Sequence, residues 1–129
     1  MAELQVAVVS AERSLWKGTA KSVVAKTPDG EIGIMPGHEP VLALLVESPL
    51  RIEQPDGSKV VVAVHGGFFA VDSNEVNVIA EVAELAQDID LERAKAALAA
   101  AKAAGEEGVS ALRRAETRIT SAGLAGSLR

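Results

Sequence analysis

His38 and Glu39 are adjacent residues whose side chains could take part in acid–base or metal chemistry. A helical zinc site of the HExxH type needs a second histidine, which this segment lacks. Pro36 and Pro40 flank the pair and disfavour a helix. We therefore expect His38 to lie in a surface loop, and we keep a small hydrolase that uses His38 and Glu39 as an alternative.

The other motifs that could carry chemistry are incomplete. Gly57-Ser58-Lys59 lacks the upstream glycine spacing of a phosphate-binding loop, and no Gly-x-Ser-x-Gly elbow occurs. The chain has no cysteine, which excludes disulfides and thiolate metal sites. His65 precedes Gly66-Gly67, and we expect it to be a hydrogen-bonded residue at a strand end. The sequence predicts neither a catalytic residue nor a required cofactor.

An acidic cluster, Glu81, Glu84, Asp88 and Asp90, precedes an alanine-rich region. Carboxylates around a helix start are ordinarily solvated partners of the helix dipole. A divalent cation or a polar ligand remains the alternative.

Charge is unevenly distributed along the 129 residues. The net charge is −5, and residues 1–88 carry 6 basic and 13 acidic side chains, a balance of −7. Nucleic-acid binding depends on clustered Lys and Arg, so an acidic body argues against it. No apolar run approaches the roughly 20 residues that span a bilayer, and no secretory signal is evident at Met1. We expect a soluble protein that does not insert into the membrane.

The elements that must position these residues fall into two kinds. Alternating valines and the apolar run Val60–Val64 predict strands up to about residue 84, with the run buried. Pro28-Asp29-Gly30 and Pro55-Asp56-Gly57 each lie between apolar segments and predict hairpins. Many short strands with frequent turns are typical of a sandwich or barrel.

Two helices follow, predicted near residues 90–104 and 109–122 and ended by Gly105 and Gly123. Their apolar stripes are narrow: Leu91, Ala94, Leu98 and Ala101 on the first, and Val109, Leu112, Ala115, Ile119 and Ala122 on the second. Both helices lie near the ~12–15 residue limit for independent stability, so their docking should be marginal. We predict a β-sandwich over residues 1–86 and an antiparallel two-helix hairpin over 87–129.

Residues 30–40, 66–68 and 79–84 resemble segments of one known family, the epsilon subunit of F-type ATP synthases. Residues 30–40, GEIGIMPGHEP, resemble the family signature GE-x-GILPGH-x-P, with Met35 in place of the usual Leu. Residues 66–68, GGF, and 79–84, IAEVAE, resemble two further family segments in the same order and at the expected distances. The resemblance spans nearly the whole chain.

The resemblance implies a sandwich followed by a helical hairpin, as the residue patterns do independently. It further implies a non-catalytic central-stalk subunit, peripheral at the cytoplasmic face of the cell membrane, that binds the gamma subunit and the c-ring. The extended hairpin would contact the catalytic subunits and restrain ATP hydrolysis. Glu31 and His38, polar residues of the signature loop, are the expected contacts with the c-ring, and we expect both at one end of the sandwich.

Residues 89–94, IDLERA, match the family's I/L-D-x-x-R-A motif for ATP binding by the folded-down hairpin. The resemblance implies that Glu84, Asp90, Arg93 and Ala94 bind ATP as a weak regulatory ligand. Carboxylates can accept hydrogen bonds from the nucleoside, and an arginine can pair with phosphate. The basic second helix could supply further phosphate contacts when it is folded down, or meet acidic surface on the catalytic subunits when it is extended, through Arg113, Arg114 and Arg118. The alternatives are a plain helix cap at Asp90 and, for the whole chain, a free-standing ATP-sensing module.

Overall fold

Eight strands form the first part of the chain in the computed structural model, which describes residues 3–127, with side chains as far as residue 124. Their bounds are β1 Leu4–Ser10, β2 Ser14–Ala20, β3 Ser22–Thr27, β4 Gly30–Ile34, β5 Val41–Leu44, β6 Ser48–Glu53, β7 Lys59–Asp72 and β8 Glu75–Leu85. Helices α1 Leu91–Ala103 and α2 Val109–Ser127 follow, with short 3-10 turns at Ala86–Asp88 and Gly105–Gly108. The predicted fold class, a β-sandwich followed by a helical hairpin, is confirmed.

The strands are hydrogen-bonded in the order β2-β1-β8-β7-β6-β3-β4, with β5 on β7. Strands β1 and β8 pair in parallel and the other pairs are antiparallel. Strand β7 belongs to both layers because its core-facing positions change from Val62 and Val64 to Phe69 and Val71. Between them, Gly67 has φ +123°, and a Cβ there would collide with the carbonyl oxygen of Ile79. The glycine pair therefore lets one long strand bend from one layer into the other.

Both predicted Pro-Asp-Gly hairpins are confirmed. Thr27 pairs with Gly30 across the first turn, so β3 and β4 are joined by Pro28-Asp29. In the second, the Ser58 amide donates to the Asp56 carboxylate at 2.9 Å, which closes an Asx turn between β6 and β7.

The helical hairpin begins at Asp90, whose carboxylate accepts the Arg93 amide at 3.1 Å as an N-cap. Helix α1 ends before Gly105, which has φ +63° and supplies the predicted stop. Gly108 brings the start of α2 so close to the Ala101 carbonyl that no Cβ would fit there. Helix α2 packs on β7 and β6, and α1 packs on α2.

The second helix differs from its prediction in two respects. It continues past Gly123 to Ser127, because a glycine inside a helix costs only about 1 kcal/mol and no proline follows. Its buried face includes Thr117 and Ser121 as well as Ala115, whereas Val109 is 43% exposed. Since α2 lies between the sheet and α1, its buried surface is wider than one apolar stripe. The Val60–Val64 run is buried from Val61 onward. Val62 and Val64 face the core of the sandwich, and α2 packs on the other face of β7, which carries Val61 and Ala63.

Candidate functional site

A cavity of about 420 Å³ lies where the helical hairpin meets the sandwich. We call it the hairpin pocket; its lining residues are Arg13, Glu84, Leu85, Asp88, Ile89, Asp90, Arg93, Ala94, Ala97 and Arg118. All four residues predicted to bind nucleotide lie in this one cavity. Its volume falls within the roughly 300–1,000 Å³ of small-molecule sites.

An ion pair between the sandwich and the hairpin forms one wall of the hairpin pocket. Arg118 Nε, on α2, donates to the two carboxylate oxygens of Glu84, at the end of β8, at 2.9 and 3.1 Å. The side chains are 26% and 32% exposed, so solvent screens the pair only partly. This contact ties α2 to β8.

The start of α1 forms another part of the lining of the hairpin pocket. Asp90 is exposed, and it already serves as the N-cap of α1. The alternative interpretation of this residue, a helix cap, is therefore present together with the hairpin pocket. Arg93 is exposed in the first turn of α1, and its side chain is available to a ligand. Ala94 is only 3% exposed, which makes it a small, packed part of the wall.

Arg13 lines the hairpin pocket but was not predicted as a site residue, whereas Arg118 is one of the three second-helix arginines expected to be able to contact phosphate. Arg13 follows β1 and Arg118 lies on α2, far from the IDLERA segment in sequence. Together with Arg93 they face three acidic lining residues, Glu84, Asp88 and Asp90. A polyanion would therefore meet three guanidinium groups, but it would have to compete with the carboxylates for them.

The four residues of the acidic cluster do not lie at one site in the structure. Glu84, Asp88 and Asp90 line the hairpin pocket, whereas Glu81 lies beside Gly66. Within the described part of the chain, no three His, Asp or Glu side chains are placed to hold a metal ion.

Two titratable groups with shifted pKa values lie near the ion pair, the buried His65 and the partly buried Glu47. His65 is 4% exposed inside β7, and neither ring nitrogen has a hydrogen-bond partner among the described residues. The expectation of a hydrogen-bonded strand-end residue is wrong, because β7 continues through the glycines and α2 covers it. Burial and then the nearby Arg118 lower the pKa of His65, while Glu84 acts in the opposite direction. Burial raises the pKa of Glu47, and Arg114, Arg113 and Arg118 oppose this shift.

Glu31 and His38 are not brought together. Glu31 is the second residue of β4, where it forms an ion pair with Arg51 at 3.0 Å and lines a second cavity of about 350 Å³ beside α2. His38 lies beyond the other end of β4, next to Gly37, whose amide donates to Asn74 Oδ1 at 2.7 Å. The expectation that both occupy one end of the sandwich is wrong, because strand β4 runs between them. Glu31 is exposed, and His38 is partly exposed.

An apolar row crosses the outer face of four neighbouring strands. Val9 pairs with Ile79, Ile79 with Phe68, and Phe68 with Leu44. These side chains are 36%, 44%, 38% and 65% exposed, and Leu42, two residues from Leu44, is 72% exposed. Sequence reasoning missed this row because the register that aligns its members was unknown. We call these five residues the apolar row.

No helix among residues 3–127 has the length and apolar character needed to cross a membrane.

Comparisons with known proteins agree on one family. A sequence profile described as "ATP synthase, Delta/Epsilon chain, beta-sandwich domain" matches residues 3–86. The ATP synthase epsilon chain of Streptomyces avermitilis is 48% identical over 118 residues, covering 92% of this chain and 94% of the relative. That of Rhodococcus jostii is 55% identical over 100 residues, covering 77% and 82%.

Among solved structures, a chain of the Euglena gracilis mitochondrial ATP synthase, in a structure of OSCP/F1/c-ring, is similar with a TM-score of 0.83. It is 25% identical, and the match covers 96% of this chain and 82% of that one. A chain of the Tetrahymena thermophila mitochondrial central stalk/c-ring shares the fold at a TM-score of 0.56 and 16% identity, over 86% and 97% of the two chains. With the profile match and the close bacterial relatives, this chain belongs to the ATP synthase epsilon-chain family.

Proposed function

We propose that the chain is a non-catalytic central-stalk subunit of a rotary, proton-translocating F-type ATP synthase. It binds the gamma subunit, couples c-ring rotation to it, and restrains ATP hydrolysis through its helices. The assembled subunit is peripheral at the cytoplasmic face of the cell membrane. The bacterial relatives, named ATP synthase epsilon chain, support this function, as does a structural neighbour within an F1/c-ring complex.

The apolar row is the observation that carries this proposal. Its members are aligned by strand register on one outer face, while their sequence neighbours Val8, Val78 and Phe69 fill the core. A contiguous apolar surface on a small domain is characteristic of a protein interface. A stalk subunit must rotate with its partner, so a rigid sheet face suits this contact better than a loop. We assign the apolar row to the gamma interface.

Substitution of the row tests this assignment. The variant Leu44→Ser/Ile79→Ser removes two exposed side chains, each of which contributes about 1 kcal/mol if its remaining exposed area is buried on binding. The affinity for F1 depleted of its own epsilon subunit should then fall about thirtyfold, with little change in thermal stability.

Val109→Ser is the matched control, because Val109 is 43% exposed, close to the 44% of Ile79, but lies on the hairpin. This variant should bind the depleted F1 as wild type does. Equal affinity of the double variant and wild type would rule out the apolar row as the interface.

Glu31 and His38 remain our proposed contacts with the c-ring. Because β4 lies between these two residues, the proposed contact with the c-ring must extend along this strand and cannot be confined to one end of the sandwich. Each polar contact should contribute about 0.5–1.5 kcal/mol, so replacing both should weaken assembly only partly. Normal assembly and proton pumping by the double variant at low subunit concentration would show that the assignment is wrong.

The hairpin pocket supports ATP as a regulatory ligand at Glu84, Asp90, Arg93 and Ala94. Occupied, the pocket would hold the hairpin down and away from the catalytic subunits. A triphosphate must compete with Glu84 for Arg118, so we expect binding in the millimolar range, about −4 kcal/mol. The same pocket would serve a free-standing ATP sensor, and co-purification with gamma distinguishes the two functions.

A further inference from the structure

A buried histidine lies between the sandwich and the hairpin that covers it. His65 is on β7, which α2 packs against, and its side chain is 2% exposed. We propose that His65 is a pH-sensitive latch: the hairpin docks more tightly on the sandwich while His65 is neutral, and protonation at mildly acidic pH shifts the hairpin toward its open state.

In the docked geometry, no acceptor among the described residues lies within hydrogen-bond distance of a second proton on this ring. His65 Nε2 lies 3.8 Å from Glu84 Oε2, beyond hydrogen-bond distance, and Nδ1 also has no partner among the described residues. Both oxygens of Glu84 already accept Arg118 Nε, at 3.1 and 2.9 Å. A protonated His65 would compete with Arg118 for one carboxylate, and the docking contact would be shared between two cations.

The charged groups around His65 come from several elements. Strand β8 supplies Glu84, and α2 supplies Arg114 and Arg118, which both disfavour a second positive charge. Two further carboxylates lie in the vicinity: Asp88, in the 3-10 turn, lines the hairpin pocket with Glu84 and Arg118, and Glu47, before β6, interacts electrostatically with the arginines of α2.

The remaining strands add little charge at this position. On β6, Arg51 forms an ion pair with Glu31, and Glu53 forms one with Lys21, both away from His65. Strand β5, Val41–Leu44, carries no titratable residue. Glu81, also on β8, lies beside the neighbouring Gly66. Of the carboxylates in this surrounding, Glu84 acts on the pKa of His65 in the direction that favours the imidazolium, and Arg118 already pairs with Glu84.

The interface between the hairpin and the sandwich contains another buried polar side chain without a hydrogen-bond partner in the described part of the chain. Ser121, on α2, is 0% exposed, and its hydroxyl oxygen has no hydrogen-bond partner among the described residues. A buried polar group without a partner reduces the stability of the docked state. The docked hairpin is therefore less stable than it would be with every buried polar group paired, so an electrostatic change has a smaller stability to overcome.

The direction of the pH response follows from proton linkage. Burial and Arg118 hold the pKa of docked His65 below its ordinary value of 6.5, whereas opening exposes the ring to water. The docked state therefore binds fewer protons than the open state, and its stability is complete above pH 6.5 and falls as the pH decreases below it. At pH 5.5 the opening constant should be up to about tenfold larger than at pH 7.5.

Amide hydrogen exchange of α2 in the isolated full chain measures this opening. After correction for the intrinsic pH dependence of exchange, the α2 amides of wild type should open up to about tenfold more at pH 5.5 than at pH 7.5. The variant His65→Gln should show no such increase, because its side chain does not titrate. The matched control is His38→Gln, which removes the only other histidine and should keep the wild-type response.

Direct titration of the His65 ring by NMR in wild type keeps the proposal testable if His65→Gln does not fold. The ring should titrate below pH 6.5 while the hairpin is docked. An opening constant independent of pH in wild type, an unchanged response in His65→Gln, or a ring that titrates at or above pH 6.5 would each overturn the latch. The experiment contains neither nucleotide nor partner, so a negative result would overturn the latch without bearing on the proposed function. The proposed function is needed only for the consequence that acidification frees the hairpin to act on ATP hydrolysis.

Discussion

Replacing Arg118 by Gln should increase the fraction of molecules in which the helical hairpin is open, without unfolding the sandwich. The change removes a guanidinium whose Nε donates to both oxygens of Glu84. A hydrogen bond between charged groups contributes about 1.5–3 kcal/mol, and partial exposure of 26% and 32% reduces this to about 1–2 kcal/mol. The opening constant of the hairpin should therefore rise about 5- to 30-fold.

Hydrogen exchange of α2 amides at pH 7.5, where His65 is neutral, measures this constant. Arg113→Gln is the matched control, because Arg113 is an exposed arginine on the same helix and should leave the opening nearly unchanged. In a double-mutant cycle with Glu84→Gln, the coupling energy should be about 1–2 kcal/mol. A coupling energy near zero, or equal opening in Arg113→Gln and Arg118→Gln, would refute the role of this ion pair.

Three further predictions concern the hairpin. ATP should bind wild type in the millimolar range, and calorimetry should show a clear loss of affinity in Arg93→Ala. If wild type does not bind ATP at several millimolar, or if both proteins bind it equally, the IDLERA segment is only a helix cap and not a nucleotide site. Gly108→Ala should destabilise the hairpin by about 1–3 kcal/mol in thermal unfolding, because its Cβ meets the Ala101 carbonyl. Gly123→Ala should instead stabilise α2 by up to about 1 kcal/mol, since among the described residues no atom outside the adjacent backbone of α2 lies within 4 Å of the added methyl. Equal effects of the two substitutions would contradict the packing.

The parts of the fold that local rules govern could be predicted from the sequence. The two Pro-Asp-Gly turns specify hairpins through local backbone geometry, and Asp90 and Gly105 mark the ends of α1 in the same way. The end of α2 could not be predicted from Gly123, because a single glycine weakens a helix but does not stop it when packing continues.

The site depends on contacts between distant segments, which a single sequence does not specify. The resemblance to the family supplied the four residues that meet in the hairpin pocket, and the basic second helix suggested Arg118, but nothing in the sequence pointed to Arg13. The separation of Glu31 from His38 follows from the short strand β4, whose bounds were not predicted. The environment of His65 arises only when α2 covers β7.

Membership of the central stalk is tested most directly by purifying the tagged full chain from detergent-solubilised membranes of its own organism and quantifying every protein that accompanies it. We expect the gamma and c subunits of ATP synthase in a constant ratio to the chain, with one copy of the chain for each gamma. Recovery of the chain without gamma, under conditions in which the rest of the synthase stays intact, would contradict the proposed function.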